Sequence, residues 1–235
     1  MTKTFKYKKV EIDSPTGKGK NTGEAMIDKK RKTVYVLLTD TGTLFTKIIK
    51  WFTNAPYNHV SIVFDEKLDE IYSFGRKYPR NPLIAGFIRE DVYFGTYRYF
   101  YNTRCLLSKI DVSSKEYIRI RNVIQSFNNN KDIYSYNLLG LVGVAVRRPI
   151  NQRNKYFCSQ FVAEVFEKSG LNLGDLPSAL VTPNDFLMHP RFELVYEGRL
   201  YDYPLLDHVM LSMPMAGFEY AFMPPFELIK KKLQL

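Results

Sequence analysis

The chain has 235 residues, of which 45% are hydrophobic and 15% aromatic, enough apolar mass to bury one sizeable core. A charged fraction of 25% with ordinary Gly and Pro content excludes a fibrous or extensively disordered protein. Formal net charge is +10, and residues 1–32 hold ten Lys/Arg against four Asp/Glu, a net of +6 that leaves +4 for the other 203 residues.

Such an amino-terminal arm suits an anionic partner such as acidic lipid or nucleic acid, and equally a solubilising terminus. Cys105 and Cys158 lie far apart with no CxxC spacing, which argues against a disulfide framework and a four-cysteine zinc site. Reduced thiols and no metal or organic cofactor are expected. The amino end lacks an apolar signal region, and no run of about 18 apolar residues could span a bilayer, so a cytoplasmic location without a transmembrane segment is expected.

From Ser14 to Lys32, Pro, Gly, Lys, Asn and Thr mix without apolar periodicity, which reads as an exposed basic arm; residues 33–235 form the folded domain, with a carboxyl-terminal extension from about 198. Thr16-Gly-Lys-Gly-Lys20 lacks the spacing of a phosphate-binding loop. Thr33–Thr39 is a β-branched, apolar run that predicts a buried strand, and Thr43–Phe52 carries Leu44, Ile48, Ile49 and Phe52 at helical spacing. Asn58–Phe64 predicts a second strand, with Val60, Ile62 and Phe64 on one face and His59, Ser61 and Val63 on the other.

Ile71–Phe74 predicts a strand paired back on it as a hairpin, followed by a loop over Gly75–Asn81 and further antiparallel strands at Phe87–Ile88, Thr96–Tyr101 and Arg104–Ile110. An amphipathic helix follows Asp111–Ser114 and stops at Asn128–Asn130. Tyr136–Val146 reads as a short buried helix and Phe157–Ser169 as a helix ended by Gly170. Thr182-Pro183 opens another helix, Phe192–Tyr196 returns as a strand, and Met210–Met215 reads as a segment packed across the domain.

Cys158 falls in the first turn of its helix, where unsatisfied N–H groups and the positive end of the dipole stabilise a thiolate and can receive an oxyanion. It also shares a helical face with Val162, Val165 and Phe166, so core packing alone would account for it. Cys105, inside an apolar strand, reads as packing. His59 stands out among three histidines because an otherwise apolar strand presents it beside Ser61, whereas His189 precedes a proline and His208 lies in the irregular carboxyl-terminal region.

The strand Tyr57-Asn-His-Val-Ser-Ile62, followed 99 positions later by Tyr156-Phe-Cys-Ser-Gln-Phe-Val-Ala-Glu-Val165, resembles the circularly permuted branch of the NlpC-type papain-like superfamily, which includes lecithin:retinol acyltransferase relatives and many uncharacterised bacterial proteins. In that branch the histidine strand precedes the cysteine helix, as it does in this chain. Ile71–Gly75, Tyr134-Ser-Tyr136 and Thr182–Phe186 support the resemblance, which covers about residues 33 to 197.

The resemblance implies an α+β, permuted papain-like fold with an antiparallel sheet against helices, Cys158 as nucleophile and His59 as general base. The position of the third, orienting residue matches Ser73, with Glu70, Ser61 and Ser159 as further orienting or oxyanion support. The implied activity is cysteine-dependent hydrolysis or acyl transfer at an amide or ester bond, on a peptide, amide or lipid acyl-ester substrate. The competing expectation is a catalytically weak module of the same fold that holds an acidic membrane or nucleic acid through its basic surface; no sequence-specific nucleic-acid motif is present.

Overall fold

A computed structural model describes residues 31–42, 56–78 and 81–214. The predicted helix at Thr43–Phe52, nearly all of the basic arm and the end of the Met210–Met215 segment lie outside the described residues.

The first strand, β1 (Lys32–Asp40), is buried from Val34 to Thr39. A strand apolar at consecutive positions must be covered on both faces, and this one lies inside a six-stranded antiparallel sheet. Around it lie β2 (His59–Val63), β3 (Ile71–Tyr78), β4 (Asn81–Glu90), β5 (Arg104–Val112) and β8 (Glu193–Arg199), in the order β4-β3-β2-β1-β5-β8. Val34, Val36 and Leu38 enter one core together with Val60, Ile62, Phe74 and Phe87. Tyr35 and Leu37 enter a second core with Val63, Ile71, Tyr97, Leu107, Leu200 and Tyr203.

Helices cover the first face. Helix α1 (Ser114–Asn129) begins with a capping box between Ser113 and Glu116 and contributes Ile120, Ile124 and Phe127. Helix α3 (Cys158–Lys168) contributes Phe161, Val162, Val165 and Phe166 and ends before Gly170, whose φ of 84° is the left-handed closure that glycine tolerates best. Between them, β6 (Ser135–Tyr136) and β7 (Lys155–Tyr156) form a short parallel pair that brackets α2 (Leu138–Ala145). After α3 come α4 (Pro183–Met188), entered through Thr182 and a first-turn proline, and α5 (His208–Ser212).

Three local expectations change. The predicted loop at Gly75–Asn81 is largely strand, because β3 runs on to Tyr78 and pairs Gly75 with Gly86 and Arg76 with Ala85. A Cβ on Gly86 would lie 2.8 Å from the Tyr134 carbonyl oxygen, so glycine there lets the chain before β6 close onto β4. The predicted strand at Thr96–Tyr101 is a 3-10 turn over Thr96–Tyr99, set up by the Asp91 side chain, which accepts from the backbone N–H groups of Tyr93 and Phe94 at 2.7 and 2.9 Å. The predicted buried helix after Tyr136 is α2, whose Leu138, Leu139 and Val142 are exposed and Leu141 and Val144 half-buried, while Gly140 and Gly143 are buried.

Phe74 sits at the centre of the helix-covered core, with the rings of Phe87, Phe127, Tyr134, Tyr156 and Phe161 between 5.2 and 6.1 Å away, centroid to centroid. It links β3 to β4, α1, α3 and the β6–β7 pair. Phe74→Ala is expected to lower unfolding free energy by about 3–5 kcal/mol, measured by urea denaturation, and a loss under about 1 kcal/mol would refute this central role.

Candidate active site

Strand register places the polar residues. Thr39 pairs with His59 and Leu37 with Ser61, so both β2 side chains project from the sheet face opposite the helices. On the neighbouring strands Ile71 pairs with Glu90, and Ser73, two residues on from Ile71, points the same way. His59, Ser61, Ser73 and Glu90 therefore share one face. Pairing of β2 with β3 covers only Ile62↔Tyr72 and Val63↔Ile71, so the start of β2 has parted from β3.

In that gap the first turn of α3 meets β2. The Cys158 sulfur lies beside the His59 ring and near the backbone N–H groups of Val60 and Ser159, all of which favour its thiolate. The Tyr136 hydroxyl also lies close to the thiol and the backbone N–H of Cys158. The other side of the imidazole is taken. Nε2 lies 2.6 Å from Glu90 Oε1, and because a carboxylate only accepts, the Nε2–H donates, leaving Nδ1 to face the thiol.

The Glu90 side chain is 7% exposed and accepts three further hydrogen bonds: from Ser73 Oγ at 2.5 Å, Ser61 Oγ at 2.9 Å and the Tyr97 hydroxyl at 2.8 Å. Tyr97 lies in turn 3.4 Å from Thr39 Oγ1. Burial alone would push the Glu90 carboxyl up, but the adjacent His59 charge and these donors hold it below its usual range.

For His59, burial disfavours the imidazolium, yet the Glu90 charge and the Cys158 contact outweigh it and raise its pKa to about 10. Burial raises the Cys158 thiol while the His59 hydrogen bond and charge, with the two backbone N–H groups, lower it further than burial raises it. All of these shifts favour a thiolate–imidazolium–carboxylate arrangement. Cys105 differs, its thiol pushed up to about 12 by burial with no cation among the causes.

The sequence-predicted residues separate accordingly. Cys158 and His59 come together, and Ser61 joins them, 3.3 Å from His59 Nε2. Ser73 is corrected as the orienting residue: Glu90 stands between it and the ring, and Ser73 holds Glu90. Glu70 is engaged elsewhere, 2.6 Å from Arg121 Nη1 and accepting from the Tyr72 hydroxyl. Ser159 contributes its backbone N–H to the sulfur while its hydroxyl donates to the Val181 carbonyl at 2.7 Å.

Sequence reading missed Glu90 and Tyr97. The signal for Glu90 was a full β3–β4 hairpin, since a strand stopped at Ile88 ends before the carboxylate. Tyr97 had no such signal, because a strand was expected where the turn lies.

Comparison with protein-family models finds no match, and no curated protein sequence matches the chain.

Beside the site is a cavity of about 320 Å³, bordered by His59, Glu90, Tyr136, Arg76, Lys77 and Arg89 among others. Arg76, Lys77 and Arg89 contribute cationic residues to its lining, and Asp91 and Glu90 acidic ones, Glu90 being already paired with His59. Among the described residues no group of three or more His, Cys, Asp or Glu could hold a metal ion.

The charge arrangement sets a pH response. A lowered thiol pKa beside a raised imidazole pKa keeps the thiolate populated as pH falls, where an ordinary thiol loses about tenfold in thiolate per unit. Iodoacetamide should therefore label Cys158 with little loss of rate from pH 8 to about pH 6.5. Glu90→Gln removes the charge that sustains the imidazolium, so His59 falls, Cys158 rises and labelling at about pH 6 should slow tenfold or more. Equal labelling rates in the variant and the parent would refute the relay.

Proposed function

We propose that this protein is a thiol-dependent acyl hydrolase or acyltransferase of the permuted papain-like type, acting at an amide or ester carbonyl. The observation that carries the reading is the Cys158 sulfur at a helix start beside His59, whose far nitrogen donates to a buried carboxylate. The order of histidine strand before cysteine helix supports the same assignment.

In the proposed cycle the Cys158 thiolate attacks the carbonyl carbon and the carbonyl π electrons move to oxygen. The imidazolium of His59 gives its Nδ1 proton to the departing amine or alcohol as the thioester forms. Neutral His59 then takes a proton from water or an acceptor hydroxyl, which attacks the thioester and releases the thiolate. Glu90 fixes the ring orientation and balances the imidazolium charge throughout.

Tyr136 borders the cavity, and its hydroxyl lies close to both the thiol and the backbone N–H of Cys158. In this mechanism that hydroxyl and N–H receive the oxyanion. The cationic cavity wall favours an acyl compound that carries a carboxylate or phosphate near the scissile bond.

A generic activated ester tests the reading. With p-nitrophenyl acetate the protein should give a burst of nitrophenol and a Cys158 acetyl adduct by intact mass, while Cys158→Ala should fall to the buffer rate. Tyr136→Phe should lower kcat by about 10²-fold with iodoacetamide labelling of Cys158 retained. Turnover by Cys158→Ala equal to that of the parent would reject the proposal.

A further inference from the structure

Helix α2 inverts the usual amphipathic arrangement. In Leu138-Leu-Gly-Leu-Val-Gly-Val-Ala145, the side chains of Leu138, Leu139 and Val142, with Val146 just past the end, are 43, 54, 47 and 56% exposed. These positions fall within about 120° around the helix axis, so they form one apolar face turned to solvent. The glycines point inward because there is no room for more: a Cβ on Gly140 would lie 2.9 Å from the Phe157 ring, and one on Gly143 2.6 Å from the Arg148 carbonyl oxygen. Glycine in a helix interior destabilises it by roughly 1 kcal/mol, so each lowers helix stability while seating the helix with its apolar side outward.

The charges in the segment that carries this helix have one sign. From Ile133 to Ala163 the sequence contains Arg147, Arg148, Arg153 and Lys155 and no Asp or Glu. Arg147, Arg148 and Arg153 are exposed. Arg147 also occupies the left-handed position that closes α2, with φ of 55° and the Arg148 N–H bonded back to the Gly143 carbonyl oxygen at 2.9 Å. Glycine is the residue that fits this closure without strain, yet the chain carries a long cation there.

We infer that α2 and the arginines after it form an interfacial docking site for an anionic lipid bilayer, with Leu138, Leu139, Val142 and Val146 entering the acyl boundary and Arg147 and Arg148 meeting lipid phosphates. An exposed apolar face marks a contact surface, and cations along its edge select anionic headgroups. Eight residues make a helix of about 12 Å, which lies in the interface rather than across it. The face is also joined to the thiol site: Tyr136, just before α2, lies close to Cys158, and Asn137 caps α2 while its Nδ2 donates to the Ile150 carbonyl and to Gln160 on α3. The docking inference does not depend on Cys158 chemistry.

The test is co-sedimentation of the full chain with vesicles of phosphatidylcholine alone and of phosphatidylcholine containing about one-third phosphatidylglycerol. Binding is expected only to the anionic vesicles. Arg147→Gly relieves the backbone at the helix end, so it should fold at least as stably as the parent while binding about fivefold more weakly. Leu139→Glu with Val142→Glu, both at exposed positions, should keep the parent's thermal melting and lose tenfold or more in binding. Three results would overturn the inference: no binding of the parent to anionic vesicles, parental binding by the Glu double variant, or a stable dimer in sedimentation that the Glu substitutions dissociate.

Discussion

A carboxylate taken out of water has to be met by charge and donors, and Glu90 is that carboxylate here. Its partners come from β2, β3 and the turn after β4: His59, Ser61, Ser73 and Tyr97. Satisfying it fixes the three segments relative to one another. The same charge favours the protonated imidazole of His59, and that ring in turn lowers the Cys158 thiol pKa. One buried group thus sets both the geometry and the electrostatics of the site.

The sheet makes room for this arrangement by being covered on both faces and open at one seam. Its helix-covered face carries a close aromatic core around Phe74, which positions α3. Its other face buries the polar cluster beside Leu37, Val63 and Ile71. A nucleophile arriving from the helix side and a base projecting from the opposite side would ordinarily be separated by the sheet. They meet because β2 and β3 part before His59, and the freed Val60 N–H turns to the sulfur.

Much of this was legible in residue order. The apolar run in β1, the alternation of His59 and Ser61 against Val60 and Ile62, and the helix start at Cys158 are local patterns, and local patterns dictate local structure. The partner of His59 was not legible. Glu90 reaches the ring only through the register of a hairpin whose length depends on Gly75 and Gly86 facing each other, a pairing that neither residue reveals alone. Helix α2 failed differently: its composition signals burial, but close packing at Gly140 and Gly143 leaves space for backbone alone, so tertiary contact reversed the preference.

The β3–β4 register also bears on how the chain could vary. Side chains alternate along a strand, so one residue added between Phe87 and Glu90 would turn the carboxylate toward the aromatic core, and two would restore its face but shift it about 7 Å along the strand, out of reach of His59. Neither change need unravel the sheet. This stretch is thus a gauge of fixed length, and through descent it would tolerate substitution far better than insertion or deletion, with drift in its length leaving a folded protein whose histidine has lost its counter-ion.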